Sequence, residues 1–322
     1  MIRLIGISQK DNEVLLYYAY TKGGKNFFKV VTSPDGFTFN GTTKYVIATD
    51  DKNREEKNYD WNKSRISKQK DRYYLTYKIH AKSYPNLNSA LSSDLIRWTK
   101  TGKIKNIKEV GAVVPDFKYK NRYVMYLGEK NIQLAYSGDL KTWKPEVIPV
   151  LEPRKGFFDE DAELEVGGIL EAYNNILLIY YAKKMIDGKL RYEVGGCLFD
   201  RSDPKKILWR SEKPLWGHPQ EMHHEQMTPL GIALLKEQLI LYWVVGEANV
   251  FAVSCPMPDQ LGKLQEKSFS VILNRSAKNP IITPNPNNTW ESRATFNSAA
   301  VYEDGKVHFL YRALGDSDLS VL

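Results

Sequence analysis

The segment best equipped for acid–base chemistry is a dense run of carboxylates: Asp159, Glu160, Asp161, Glu163 and Glu165. Glu163 and Glu165 are two residues apart, so on an extended strand both side chains face the same side. Two carboxyl groups about 5 to 10 Å apart are the usual means of cleaving a glycosidic bond. We therefore predict Glu163 and Glu165 as catalytic residues. The alternative is a solvated acidic loop that balances nearby lysines.

A second polar cluster, Glu221–Gln226, contains two of the five histidines in the chain. His223 and His224 stand among acidic residues, a composition that suits sugar hydroxyls or a metal ion. The two histidines are adjacent rather than four residues apart, so the segment does not match the helical zinc-binding motif. We predict that His223, His224 and Glu225 bind substrate, with no metal or other cofactor. A polar loop without a binding role is the alternative.

The elements that would position these groups are short strands, because one unit recurs along the chain. It consists of a polar turn followed by apolar and aromatic residues. Its copies lie about 50 to 70 residues apart, which is in the range of propeller blades. The copies are Asn12–Tyr18, Asp71–Tyr77, Asn121–Tyr126, Asn175–Tyr180, Gln238–Trp243 and Gly305–Tyr311.

A second unit, with Ser, Asp and an aromatic residue at fixed spacing, follows the first three copies. We predict that its Asp forms a turn and that its aromatic residue anchors an outer strand. The three sets are Ser33, Asp35 and Phe39; Ser92, Asp94 and Trp98; and Ser137, Asp139 and Trp143. The repeats predict an all-β fold, with a five-bladed β-propeller over residues 1–275. Residues 276–322 are predicted to be a partial blade that resembles the opening of a second propeller.

Composition narrows the possible functions. The net charge is +8, with 46 basic and 38 acidic residues, but the basic residues are spread out, which disfavours nucleic-acid binding. No apolar run reaches membrane-spanning length, so we expect no membrane partner. The segment Met1–Ile5 carries no recognisable secretory signal, so a cytoplasmic location is expected. The oligomeric state is left open. Aromatic residues make up 12% of the chain, which suits both a β core and sugar binding.

Two stretches of sequence resemble glycoside hydrolase family 130, whose members are five-bladed propellers that phosphorolyse or hydrolyse β-mannosides. The first stretch comprises Tyr192–Asp200, Asp203–Pro204, Trp209–Ser211 and Pro214–Leu215. The second comprises Asn279–Pro284, Trp290–Glu291, Phe296–Val301 and Tyr311–Ala313, and it is similar to the opening blade of the family. The resemblance implies a carbohydrate-active protein with an oligosaccharide or glycoside substrate.

The family's catalytic acid is not matched in this sequence. It is the Asp of a Glu-Asp-Pro-Arg-like segment in the second blade, where this chain has Lys63 and retains Arg65. A lysine cannot protonate a leaving oxygen as a tuned carboxylic acid does. Asp60 is a possible substitute for the acid, and Trp61 could stack on a sugar ring. The resemblance therefore implies Asp60 as a catalytic candidate, with Trp61, Asn62 and Arg65 as substrate-binding residues.

The family's phosphate-holding groups are also replaced. The third blade keeps Pro115, and the adjacent Asp116 joins the substrate-binding candidates, but Tyr126–Leu127 stands where the family has a His-Arg pair. In the fourth blade, Tyr180–Tyr181 replaces a Tyr-His pair. Phosphorolysis is therefore the least favoured reaction. We expect a glycosidase-like hydrolase for β-mannosides or related oligosaccharides. The alternative is a non-catalytic propeller that binds glycan or supports an active second domain.

Overall fold

The computed structural model describes residues 2–22, 25–41, 43–49, 61–79, 86–172, 174–217, 226–246, 249–256, 282–303, 306–317 and 320–321. These residues fall into two compact units, Met1–Glu266 and Lys267–Leu322. The predicted boundary between residues 275 and 276 stays a prediction. In the described ranges, no helix is long and apolar enough to cross a membrane.

The first unit is built from five sheets, each containing three consecutive antiparallel strands. The first strands of the sheets, called the inner strands, are β1 (Ile2–Lys10), β6 (Trp61–Gln69), β10 (Gly111–Tyr119), β14 (Glu163–Ala172) and β19 (Met227–Leu235). The second strands are β2 (Glu13–Lys22), β7 (Arg72–Ile79), β11 (Arg122–Leu127), β15 (Asn175–Ile186) and β20 (Gln238–Val245). The third strands are β3 (Lys25–Ser33), β8 (Asn86–Ser92), β12 (Gln133–Ser137), β16 (Lys189–Asp200) and β21 (Asn249–Pro256).

Shorter segments complete the outer edges of four sheets. They are β4 (Lys44–Tyr45), β5 (Ile47–Thr49), β9 (Arg97–Lys103), β13 (Lys144–Pro145), β17 (Asp203–Arg210) and β18 (Trp216–Gly217). The strand β5 runs parallel to β9 on the rim of the second sheet, so the chain leaving the first blade also covers the edge of the next one. Covered edges limit pairing with other chains.

The five inner strands form a closed ring, because each packs against the next and β19 packs against β1. All five line a central cavity of about 180 Å³. This arrangement confirms the predicted five-bladed β-propeller. The apolar–aromatic repeat supplies the second strand of every blade, which explains why it recurs at blade spacing.

Hydrophobic cores lie between adjacent blades. Trp98 belongs to the core between the first and second blades, and Trp143 to the core between the second and third. Both side chains are at most 1% exposed, so the predicted anchoring role of these aromatic residues is confirmed. The ring therefore holds together mainly by apolar burial between blades.

A tyrosine hydroxyl from one blade also binds a backbone carbonyl of the next blade at four of the five junctions. Each tyrosine comes from a second strand and lies in the core between the two blades. The bonds are Tyr242 to Gly36 at 2.8 Å, Tyr17 to Leu95 at 3.0 Å, Tyr74 to Leu140 at 2.5 Å and Tyr126 to Pro204 at 2.6 Å. The first of them joins the fifth blade to the first and so closes the ring.

The Ser-Asp units form tight turns, as predicted. In the third blade, Asp139 accepts hydrogen bonds from the backbone N–H groups of Lys141 and Thr142, both at 2.8 Å. These bonds lower the pKa of Asp139 to about 2, because they favour the charged carboxylate. The same contacts recur around Asp35 and Asp94, which confirms that these acids form turns.

The second unit contains one three-stranded sheet of β22 (Ala294–Glu303), β23 (Lys306–Leu314) and β24 (Ser320–Val321). Its first hairpin has a register shift between Phe296 and Ala299, similar to the shifts in the inner hairpins of the first unit. Glu291 is buried and accepts hydrogen bonds from Asn288 at 2.5 Å and Tyr311 at 2.7 Å. That residues 276–322 form a partial blade resembling the opening of a second propeller stays a prediction.

Candidate active site

The inner strands β6 and β14 bring the candidate residues Arg65, Glu163 and Glu165 to one end of the central cavity, which we call the channel. We call this end the mouth and define it by Trp61–Arg65 and Glu163–Glu165, the residues with which the two strands begin. The β-bulge in β6 lies between Asn62 and Ser64, so Lys63 is the bulged residue. Bulges re-aim side chains and are frequent near active sites.

Glu163 and Glu165 lie on the same face of β14. Leu164 and Val166, which alternate with them, are buried in the core shared with the third blade. The expected strand spacing therefore holds, and Cα atoms two residues apart on a strand are separated by about 6.8 Å. The opposing residue on β15 is Lys183 for Glu163, and their charged atoms are 2.5 Å apart.

Arg65 reaches across the channel from the second blade to the fourth. Its Nε and Nη2 atoms donate hydrogen bonds of 3.1 and 2.7 Å to the Val166 carbonyl. Nη1 donates a third bond of 2.9 Å to the Ser64 carbonyl. Nη2 also lies 3.5 Å from Oε1 of Glu165, and both side chains are about nine-tenths buried. Arg65, which was predicted to bind substrate, thus contacts backbone carbonyls and a carboxylate of the protein itself.

A second charged cluster at the mouth lies between the second and third blades. Nζ of Lys78 is 2.6 Å from Oε2 of Glu109 and 3.0 Å from Oε1 of Glu129. Lys78 pairs with Asn62 in the strand register, which places the cluster at the mouth. Burial lowers the pKa of Lys78, but the two carboxylates outweigh it and raise the pKa above its ordinary value. The lysine is therefore a stable cation between two acids, and the cluster was not predicted from the sequence.

Aromatic side chains support the mouth beside Glu165. Tyr181 is the residue opposite Glu165 on β15. Its ring centroid lies 5.6 Å from that of Trp243 and 6.4 Å from that of Tyr192. All three aromatic residues are buried, so this wall is rigid and apolar behind the carboxylate.

Asp159, the first residue of the acidic run, is structural. Asp159 is fully buried and accepts hydrogen bonds from Arg154 at 3.1 Å, from Arg210 at 2.6 Å and from Tyr180 at 2.8 Å. Burial raises the pKa of Asp159, but the Arg154 and Tyr180 bonds and the Arg210 charge outweigh it and lower the pKa below its ordinary value. The family-like segment that contains Arg210 therefore holds the fourth blade together. The sequence run did not distinguish this anchor from Glu163 and Glu165.

Asp116 does not join the candidates at the mouth. Its carboxylate accepts the backbone N–H of Lys70, which lies in the hairpin turn at the other end of β6. Its φ angle of 46° lies in the left-handed region, within the irregular part of β10 between Val113 and Lys118. The structure thus places the Asp116 carboxylate beside the Lys70 backbone and away from the mouth, and its predicted role in substrate binding stays a prediction.

The other predicted site residues are described in part or not at all. The backbone of Trp61 and Asn62 lies at the mouth, but their side chains are outside the description. Asp60, His223, His224 and Glu225 lie outside the described residues altogether. Within the described ranges, no group of three or more His, Cys, Asp or Glu side chains could hold a metal ion.

Comparison with known proteins identifies the class of this propeller. A family model described as beta-1,4-mannooligosaccharide phosphorylase, glycoside hydrolase family 130, matches residues 7–226. The chain belongs to glycoside hydrolase family 130. That family contains mannoside phosphorylases and glycoside hydrolases.

Individual relatives are more distant. A 1,2-beta-oligomannan phosphorylase of Thermoanaerobacter sp. (strain X514) is 27% identical over 203 residues, covering 61% of this chain and 66% of the relative. The chain thus spans just under two thirds of that relative's length. A structure of beta-1,2-mannobiose phosphorylase from Listeria innocua is 15% identical, with a TM-score of 0.61 and coverage of 82% and 93%. Another, described for family 130 hydrolases that target beta-1,2 mannosidic linkages in Candida mannan, is 21% identical, with a TM-score of 0.60 and coverage of 78% and 84%.

Proposed function

We propose that the first unit is a β-mannoside hydrolase whose substrate binds at the mouth. The observation that carries this proposal is the Glu165 carboxylate, nine-tenths buried beside Arg65 at the start of an inner strand. Glu163 lies on the same face. Cα atoms two residues apart on a strand are separated by about 6.8 Å, so the two carboxylates are near enough to serve one substrate, as glycosidases require of their paired acids.

In this proposal, Glu165 activates the attacking water, because Arg65 and the enclosed aromatic wall keep its carboxylate beside the channel. A proton must also reach the leaving oxygen. Glu163 and Asp60 are the candidates for this acid, since the sequence resemblance implies that Lys63 replaces the family's own. The expected products are two free sugars, with inversion at the anomeric carbon.

Two of the similar proteins are phosphorylases, which favours a second candidate reaction, phosphorolysis. Phosphate is an anion, and it binds where cations are available. The described mouth cations Arg65, Lys78 and Lys183 all lie within 4 Å of carboxylates. These carboxylates repel a phosphate dianion, which supports hydrolysis over phosphorolysis.

The test is turnover of β-1,2- and β-1,4-mannobiose by the full chain and by Glu165→Gln. Loss of the base should lower turnover by at least about 100-fold. Glu171→Gln is the matched control, since Glu171 lies at the far end of the same strand and pairs with Arg201 at 3.2 Å. Equal turnover by Glu165→Gln and Glu171→Gln would overturn the proposed role of Glu165. Glu163→Gln and Asp60→Asn then identify the acid.

A further inference from the structure

We propose that Tyr181 is a positioning residue for Glu165. When a mannoside occupies the mouth, the Tyr181 hydroxyl donates a hydrogen bond to the Glu165 carboxylate and holds it for reaction. This inference rests on the proposed function and adds a residue to its machinery. The observation behind it is the hydrogen bonding of the buried Tyr181 hydroxyl.

The Tyr181 hydroxyl is buried and has no hydrogen-bond partner in the part of the chain that the structure describes, and the whole residue is 0% exposed. Burying a hydroxyl without a partner costs free energy, and such groups are rare in folded proteins. Each such group in a native structure calls for an explanation, and a catalytic role is one of them.

The position of Tyr181 is fixed by its surroundings. A Cβ atom on Gly167 would lie 3.0–3.1 Å from the Tyr181 ring, so the ring rests directly over the glycine backbone of β14. Trp243 and Tyr192 hold other sides of the ring. Because Gly167 also lines the central cavity, its missing side chain lets the tyrosine extend from β15 toward the channel.

Tyr181 is opposed to Glu165 in the register of β14 and β15. Opposed residues share a face, with Cβ atoms about 4.5–5.5 Å apart. The 3.5 Å contact of Glu165 with Arg65 is longer than a good hydrogen bond. A carboxylate accepts up to about four hydrogen bonds, so a side-chain rotation of Glu165 can bring it to Tyr181 as well.

Tyr181 keeps its proton and can act as a donor at neutral pH. Burial raises its pKa, the Arg65 charge opposes this rise, and the Glu165 charge adds to it. The neighbouring Tyr180 faces the other side of the blade, where its hydroxyl donates to Asp159 at 2.8 Å and accepts from Arg210 at 3.2 Å. The Tyr180 hydroxyl therefore has hydrogen-bond partners in the folded protein, whereas the Tyr181 hydroxyl is the one available to Glu165.

The experiment compares Tyr181→Phe with Tyr180→Phe in hydrolysis of β-1,2- or β-1,4-mannobiose, whichever the wild type cleaves. Tyr181→Phe should lower kcat about 10- to 100-fold with little change in KM, because a bond to a charged acceptor is lost in the reacting complex. The acid limb of the kcat profile should move to higher pH, since a hydrogen bond to the carboxylate favours its charged form. The Tm of Tyr181→Phe should not fall.

Tyr180→Phe is expected to lower the Tm and to leave the pH profile in place, as a structural tyrosine would. If Tyr181→Phe has the wild-type kcat and pH profile, or if it lowers only the Tm, the inference is wrong while the proposed function stands. If the wild type releases no free sugar from either mannobiose, the proposed function fails and the inference fails with it.

Discussion

The Arg65 guanidinium donates two hydrogen bonds to the carbonyl of Val166, and this contact joins the second blade to the fourth across the channel. The third blade lies between them in the ring, where β10 packs against both β6 and β14. Arg65 therefore both links two blades and contacts the Glu165 carboxylate at the mouth.

Replacing Arg65 by Met should destabilise the propeller by about 2–4 kcal/mol, because buried carbonyls lose their donors and Glu165 loses its partner. Urea unfolding measures the change. Arg97→Met is the control: Arg97 is 79% exposed and lies 3.8 Å from Asp94, so no measurable loss is expected. Similar midpoints for both variants would contradict the role of Arg65.

Closure of the ring depends in part on the bond from Tyr242 to the Gly36 carbonyl. Tyr242→Phe should lower the free energy of unfolding by about 1–2 kcal/mol, since the buried carbonyl is left without its donor. Tyr136→Phe provides the comparison, because the buried Tyr136 hydroxyl has no hydrogen-bond partner among the described residues and its removal should cost little. Calorimetric melting of both variants measures the difference, and equal losses would refute the closing role.

The buried Asp159 predicts a specific dependence of stability on acid. Its folded pKa lies below its ordinary value, so its contribution is complete above the unfolded pKa of about 3.9 and is lost as the pH falls through the folded pKa. Asp159→Asn should cost about 3 kcal/mol at pH 7, with a smaller difference from wild type below about pH 4.

Urea unfolding at several pH values measures this difference. The nearby, exposed Asp161 is the control, and Asp161→Asn should behave as the wild type. A difference for Asp159→Asn that stays constant down to pH 2 would show that the carboxylate charge does not contribute.

The sequence predicted the blades because each depends on local patterns. The apolar–aromatic copies became the second strands, and the Ser-Asp turns formed as expected, since a turn is decided by residues within a few positions of each other. Period-2 spacing also predicted that Glu163 and Glu165 share a face.

The remaining features depend on contacts between residues distant in the sequence. Nothing near Arg65 indicates that its partner is Val166, 101 residues away. Asp159 and Glu165 belong to one acidic run, but the first is turned into the blade and the second toward the channel. Asp116 lies away from the mouth, in the irregular part of β10, where its carboxylate accepts the Lys70 backbone N–H.

Product analysis tests most directly whether the first unit hydrolyses β-mannosides. The substrates are β-1,2- and β-1,4-mannobiose, in the absence and presence of inorganic phosphate. The account predicts free mannose at the same rate in both conditions, with initial inversion of the anomeric configuration seen by NMR. Release of mannose 1-phosphate that depends strictly on phosphate would contradict hydrolysis. It would show that the mouth cations exchange their carboxylate partners for phosphate.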